Sequence, residues 1–88
     1  MTIELNASLM TDRKTAHEYL QHQLRLPAYY GKNLDALYDL LTERGEETHI
    51  RVSESAKAEE LLGSYGALLI STLNEAAENN PALTVELL

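Results

Sequence analysis

Thr48-His49-Ile50-Arg51-Val52 sits near the middle of the chain and decides how the rest is read. Apolar and polar residues alternate through it, the period of a β-strand with one face buried. Helical patterns lie on both sides. Upstream, Asn33 is a good N-cap for a helix that runs to about Arg44, with Gly45 as the residue just past its end. Before that, Thr11 or Asp12 caps a helix over about 12–25. Its Ala16, Tyr19, Leu20, Gln23 and Leu24 recur at helical spacing, and it stops at Leu26-Pro27 because proline disfavours helical geometry in the preceding residue. Residues 2–6 alternate again and form a first strand. Downstream, Ser53 caps a helix over 54–62 that ends at Gly63. A longer helix over 65–79 presents Leu69, Leu73 and Ala76 on one side and stops at Asn79-Asn80-Pro81. Leu83, Val85 and Leu87 then mark a last strand over 82–87. Strands separated by helical hairpins point to parallel pairing through right-handed crossovers. The expectation is an α/β fold, a three-stranded parallel sheet with four helices, as a single domain over residues 1–88.

Composition narrows the function classes. Eighty-eight residues, 44% of them hydrophobic, suffice for one small core. There is no cysteine, so neither disulfides nor thiolate metal sites contribute, and an intracellular, cytoplasmic home is expected. The start, Met1-Thr2-Ile3-Glu4-Leu5, lacks the basic and long apolar segments of a signal peptide. Fourteen acidic residues against seven basic ones give a formal charge of −7. That balance disfavours direct contact with nucleic acid, whose phosphates demand cations, and docking on an anionic membrane.

The functional signal lies just upstream of the central strand, in Leu26-Pro27-Ala28-Tyr29-Tyr30-Gly31-Lys32-Asn33-Leu34-Asp35-Ala36-Leu37-Tyr38-Asp39-Leu40-Leu41-Thr42. On a helix starting after Asn33, Leu34, Leu37 and Leu41 face inward. Asp35, Asp39, Thr42 and Glu46 gather on the opposite side, flanked by Tyr38 and Glu43. Asp35 and Asp39 are four residues apart, as are Asp39 and Glu43, and like charges at that spacing cost a helix a few tenths of a kcal/mol per pair. Asp35 has a compensating position in the first turn, near the positive end of the helix dipole. Asp39 and Glu43 have a much weaker one. Tyr29 and Tyr30 add two aromatics in a loop; either one of them packs on the core beside a merely solvated acidic face, or the pair edges a ridge built to enter a cationic cleft.

This segment resembles the signature of the barstar family, intracellular inhibitors of the secreted ribonuclease barnase. The match is ungapped over these 17 positions, and the order of strands and helices along the whole chain agrees with it. The resemblance implies a protein inhibitor of a basic ribonuclease, blocking the active site by mimicking RNA phosphate with carboxylates. It implies that Tyr29 lies against a catalytic histidine of the nuclease and that Asp39 occupies a phosphate site among basic side chains. Asp35 would meet basic groups and main-chain donors at the base-recognition loop, and Asn33 and Thr42 would hydrogen-bond at the rim. Glu75, in Leu73-Asn74-Glu75-Ala76, would supply a further acidic contact. Tyr38 stands where the family pattern has tryptophan, keeping a smaller aromatic wall. Glu43 and Arg44 replace a glycine and a second tryptophan, so that Arg44 is expected to repel a basic partner from the rim. The partner implied is a secreted or toxin-type, barnase-like ribonuclease, the free inhibitor is expected to be monomeric, and no cofactor or metal is needed. An immunity protein against a divergent ribonuclease toxin, and an acidic adaptor for a partner that is not a nuclease, are the alternatives.

Other chemistry is poorly served. Gly31-Lys32-Asn33 lacks the first glycine and the hydroxyl residue of a phosphate-binding loop, and Gly63-Ser64-Tyr65-Gly66 reads as a turn between helices rather than a nucleophile elbow. His17, His22 and His49 lack metal-ligand spacing. Asp35 and Asp39 would project outward, without the apolar pocket that separates the pKa values of an acid/base pair. An enzyme is not expected.

Overall fold

The computed structural model describes residues 1–88. Three strands, β1 (Thr2–Asn6), β2 (Thr48–Ser53) and β3 (Leu83–Leu87), form one parallel sheet in the order β1-β2-β3. Two helices separate each neighbouring pair: α1 (Arg13–Leu24) and α2 (Leu34–Thr42), then α3 (Ala56–Leu62) and α4 (Ser64–Glu78). The three-stranded parallel α/β architecture expected from the alternation is therefore the one observed. A single 3₁₀ turn over Ala7–Leu9, capped by the Asn6 side chain, was not legible. Three residues is too short a run to carry a periodic pattern.

The register stacks Ile3, Ile50 and Val85 across the sheet, and Leu5, Val52 and Leu87 beside them. On β2, Thr48, Ile50 and Val52 are buried while His49, Arg51 and Ser53 are half-buried. Helices thus cover one face. The other carries a charge ladder in which Arg51 bridges Glu4 (3.1 Å) and Glu86 (3.2 Å), with His49 also against Glu86 (3.2 Å). The core is one cluster of 17 buried apolar residues, including Leu20 and Leu24 of α1, Leu37 and Leu41 of α2, and Leu69 and Leu73 of α4. Each fully buried leucine contributes about 1.5–3 kcal/mol of transfer free energy. Leu34, expected inside, is only partly buried, because it opens α2 at the protein's edge.

Several boundaries are set by hydrogen bonds that the sequence left open. Asp12, not Thr11, caps α1, its carboxylate accepting from the Thr15 amide at 2.8 Å. That helix ends before Leu26-Pro27: Arg25 turns left-handed (φ 56°), and the amides of Arg25 and Leu26 donate back to His22 and Gln21. The α2 helix stops at Thr42 with Glu43 as its cap, so that Gly45, expected just past the helix end, lies further along the chain and is not left-handed. Glu46 consequently lies beyond the helix, within 3.8 Å of Arg44, and not on the acidic face. Ser53 ends β2 instead of capping α3; its hydroxyl donates to the Leu5 carbonyl, and Ser55 takes the cap position.

The α4 helix lies between the sheet and the outer helices, packing on β3, α2 and α3. Gly66 allows the close approach of α3, since a Cβ there would stand 1.9 Å from the Ala58 carbonyl oxygen. On its other side α4 supports α2, whose outer face is left to solvent.

Candidate functional site

The start of α2 follows from Asn33. Its Oδ1 accepts from the Ala36 amide (2.8 Å) and its Nδ2 donates to the Gly31 carbonyl (3.3 Å), so one side chain caps the helix and closes the preceding turn. The far end is held by Asn80, buried in the turn between α4 and β3. Its Nδ2 donates to the carbonyls of Leu41 and Arg44, both at 2.8 Å, and its Oδ1 accepts from Ala82. These bonds satisfy carbonyls that a helix end otherwise leaves open. Between the two asparagines, Leu37 and Leu41 bury the inner stripe.

On the outer face Asp35, Asp39 and Glu43 are exposed at successive four-residue steps, and none belongs to an ion pair. Asp35 stands in the first turn, where the dipole favours it. Glu43 caps the opposite end, where the dipole opposes it. Thr42 directs its hydroxyl to the carbonyls of Tyr38 (2.9 Å) and Asp39 (3.1 Å), leaving its oxygen free to accept. Tyr38 is half-buried against the core. The face is therefore a row of solvated carboxylates on a rigid, doubly tied helix.

The loop before α2 separates its two tyrosines sharply. Tyr29 is 80% exposed and Tyr30 only 4%. The Tyr30 hydroxyl lies 2.6 Å from Nδ1 of His17, whose Nε2 lies 2.6 Å from the Tyr65 hydroxyl. His17 is itself 2% exposed, and burial pushes its pKa below the usual imidazole value. The same burial, with the neighbouring Tyr65, raises that of Tyr30. The network bolts the loop to α1 and α4, leaving Tyr29 as the side chain that projects. A hollow of about 260 Å³ opens between that ring and α2, walled by Ala36 and Leu40 and edged by Asp39 and Glu43. Gly31 helps line it, where a Cβ would meet the Asn33 amide at 3.3 Å. An apolar wall edged by two carboxylates suits a side chain with an aliphatic or aromatic body and a positive tip.

Of the residues singled out from the sequence, Tyr29 and Asp39 thus share one hollow. Asn33 and Asp35 line a second cleft at the other end of α2, and Tyr38 and Thr42 lie along the helix between. Glu75 is exposed on the adjoining α4 and reaches neither cavity. Arg44 departs from expectation. Its side chain is only 15% exposed, with Nη1 donating to the Leu24 carbonyl (2.8 Å) and Nε to Thr48 Oγ1 (3.1 Å). It is a tie between α1, α2 and β2, turned away from the rim. Sequence reading also missed the support given by His17, Tyr65 and Asn80. Only Tyr30 carried a signal, as one of two loop tyrosines of which one had a core to pack on.

A family model described as "Barstar (barnase inhibitor)" matches residues 1–87. A Bacillus subtilis (strain 168) protein, named "Putative ribonuclease inhibitor YrdF", is 36% identical over 63 residues, covering 70% of this chain and 69% of the relative. With the parallel sheet, the four helices and the exposed acidic α2 in place, the chain belongs to the barstar (barnase inhibitor) family.

Proposed function

We propose that this protein is a ribonuclease inhibitor that enters the active site of a basic, barnase-like nuclease with α2 and the Tyr29 loop. The observation that carries the reading is the row Asp35, Asp39 and Glu43, exposed, unpaired and mutually repulsive on a helix capped at one end by Asn33 and tied at the other by Asn80. Repulsion at that spacing works against folding. A partner's cations reverse its sign. In a nuclease cleft the carboxylates take the positions of substrate phosphates, and Asp39 and Tyr29 frame the hollow that receives a basic or imidazole side chain. Tyr38 and Thr42 line the contact along the helix, Asn33 and Asp35 mark its far edge, and Glu75 adds a carboxylate from α4. Inhibition is by occlusion and charge mimicry, with no bond made or broken. The family membership and the printed name of the B. subtilis relative support the inhibitor role.

The test is RNA hydrolysis by barnase, and by basic ribonuclease domains encoded beside this gene, titrated with the purified protein. Stoichiometric loss of activity, relieved by Asp39→Ala, is the expected result. Full activity of every such nuclease in excess protein would sink the reading and leave an adaptor role.

A further inference from the structure

The acidic ridge does not run out into neutral surface. At the N-terminal end of α2 a cleft of about 500 Å³ opens between Arg13 and Lys14 of α1, Lys32 and Asp35 around the α2 cap, and Tyr65 at the start of α4. The chain has seven lysines and arginines. Arg44, Arg51 and Lys57 are taken up in ion pairs. Of the four left, all but Arg25 line this one cleft. No carboxylate lies within 4.0 Å of these three cations, although Asp35 shares the lining. Asp12 feels the charge of Lys14, but its oxygens are taken by the amide and hydroxyl of Thr15. The Arg13 guanidinium is held 4.0 Å above the Tyr65 ring. Lys32 is kept at φ 56°, an unfavourable conformation for a residue with a side chain, and its ammonium makes no contact that compensates. Three cations without an ion-pair partner, concentrated in a chain of charge −7, call for an anion from outside.

We propose that this cleft receives a carboxylate-bearing segment of the partner ribonuclease, so that the docking face is bipolar. This rests on the inhibitor reading above. The ridge engages the nuclease's cations, and the cleft engages an acidic side chain beside them. A protein is favoured over a nucleic acid because Asp35 shares the cleft's lining and Asp39 stands one helical turn beyond it on α2. A polyphosphate chain long enough to extend past the cleft would run along that ridge and be repelled, whereas a folded protein alternates its charges over a few ångströms. The cleft then selects among partners: a nuclease with a basic side chain at that point faces like charge and is rejected.

The test needs no identified nuclease. The ¹⁵N-labelled protein is titrated, at constant ionic strength, with a hexaglutamate peptide and separately with hexalysine. Hexaglutamate is expected to give saturable shifts at the amides of Arg13, Lys14 and Lys32. The double variant Lys14→Gln, Lys32→Gln should weaken that binding about fivefold, the size expected for two exposed charge pairs, with hexalysine binding unaffected and the rest of the spectrum unchanged. Linear shifts no larger than those from sodium chloride overturn the proposal, as does binding indifferent to the double variant. Saturable binding of inorganic phosphate at the cleft without binding of hexaglutamate also overturns it, since the site is then one for small oxyanions. Hexalysine reads the ridge independently: its failure at residues 35–43 counts against the inhibitor reading, while the hexaglutamate result still decides the cleft.

Discussion

Nδ1 of His17 lies 2.6 Å from the hydroxyl of Tyr30, one residue along from the exposed Tyr29. With Nε2 held by Tyr65 at the same distance, both nitrogens of a buried ring are satisfied. In the neutral imidazole one nitrogen donates and the other accepts. The projecting aromatic of the loop before α2 is thus held through a neutral histidine.

That arrangement makes stability depend on pH with a definite sign. Burial holds His17 below the ordinary imidazole value of 6.5, so below that pH the unfolded chain binds the proton more readily than the folded one. The contribution is complete above about pH 6.5 and is lost as pH falls toward the depressed folded value. Urea midpoints at pH 7.5 and 5.5 should show the drop, and His17→Gln should flatten it. A midpoint rising on acidification would contradict the assignment.

Neighbouring tyrosines should behave oppositely. Tyr30→Phe strips a partner from the buried imidazole and should cost about 1–3 kcal/mol of stability. Tyr29→Ala removes an exposed ring and should leave stability within about 0.5 kcal/mol, while weakening nuclease inhibition. Thermal melts of the two variants, alongside inhibition assays, separate the roles.

Asp39→Ala is expected to relieve repulsion with Asp35 and Glu43, so folding stability should be unchanged or rise by a few tenths of a kcal/mol. Binding should fall by several kcal/mol, because cations desolvated in the complex lose their partner. That magnitude is carried over from the barnase–barstar pair itself. Glu86→Ala, on the opposite face of the sheet, should not alter inhibition. Calorimetry on the free protein and on the complex checks both signs; Asp39→Ala binding like the parent would remove α2 from the interface.

Asn80→Ala should be costly although the residue is far along the chain from the ridge. It deletes bonds to the Leu41 and Arg44 carbonyls and to the Ala82 amide, and leaves carbonyls at the end of α2 without partners. A loss of about 2–3 kcal/mol is expected, with faster amide exchange in the last turn of α2 as the local readout. Unchanged exchange there would show that Asn80 does not anchor the helix.

Association with the nuclease should be fast and should slow as salt rises, since screening acts over about 8–10 Å near physiological ionic strength. Dissociation should change much less. This behaviour, too, is carried over from barnase and barstar. Stopped-flow rates between low and high salt measure it, and an association rate indifferent to salt would argue against charge steering.

What the sequence determined by itself were those features encoded by local period and local charge. Alternation at residues 2–6, 48–52 and 82–87, with helical spacing between, specified a parallel three-stranded sheet, because an element's period is written in consecutive residues and crossovers of helices leave little topological choice. The outward row of Asp35 and Asp39 was legible for the same reason, as was the Asn33 cap. Where the helix ended was not, so Glu46 was placed on a face that α2 never extends to. The tertiary structure alone decided which loop tyrosine projects, that His17 is buried between Tyr30 and Tyr65, that Asn80 holds the end of α2, and that Arg44 turns inward to the Leu24 carbonyl. Each depends on partners 13 to 48 residues away along the chain. A side chain long or polar enough for more than one fate takes the one that leaves no buried hydrogen-bonding group unpaired, and that choice is made only when distant elements meet.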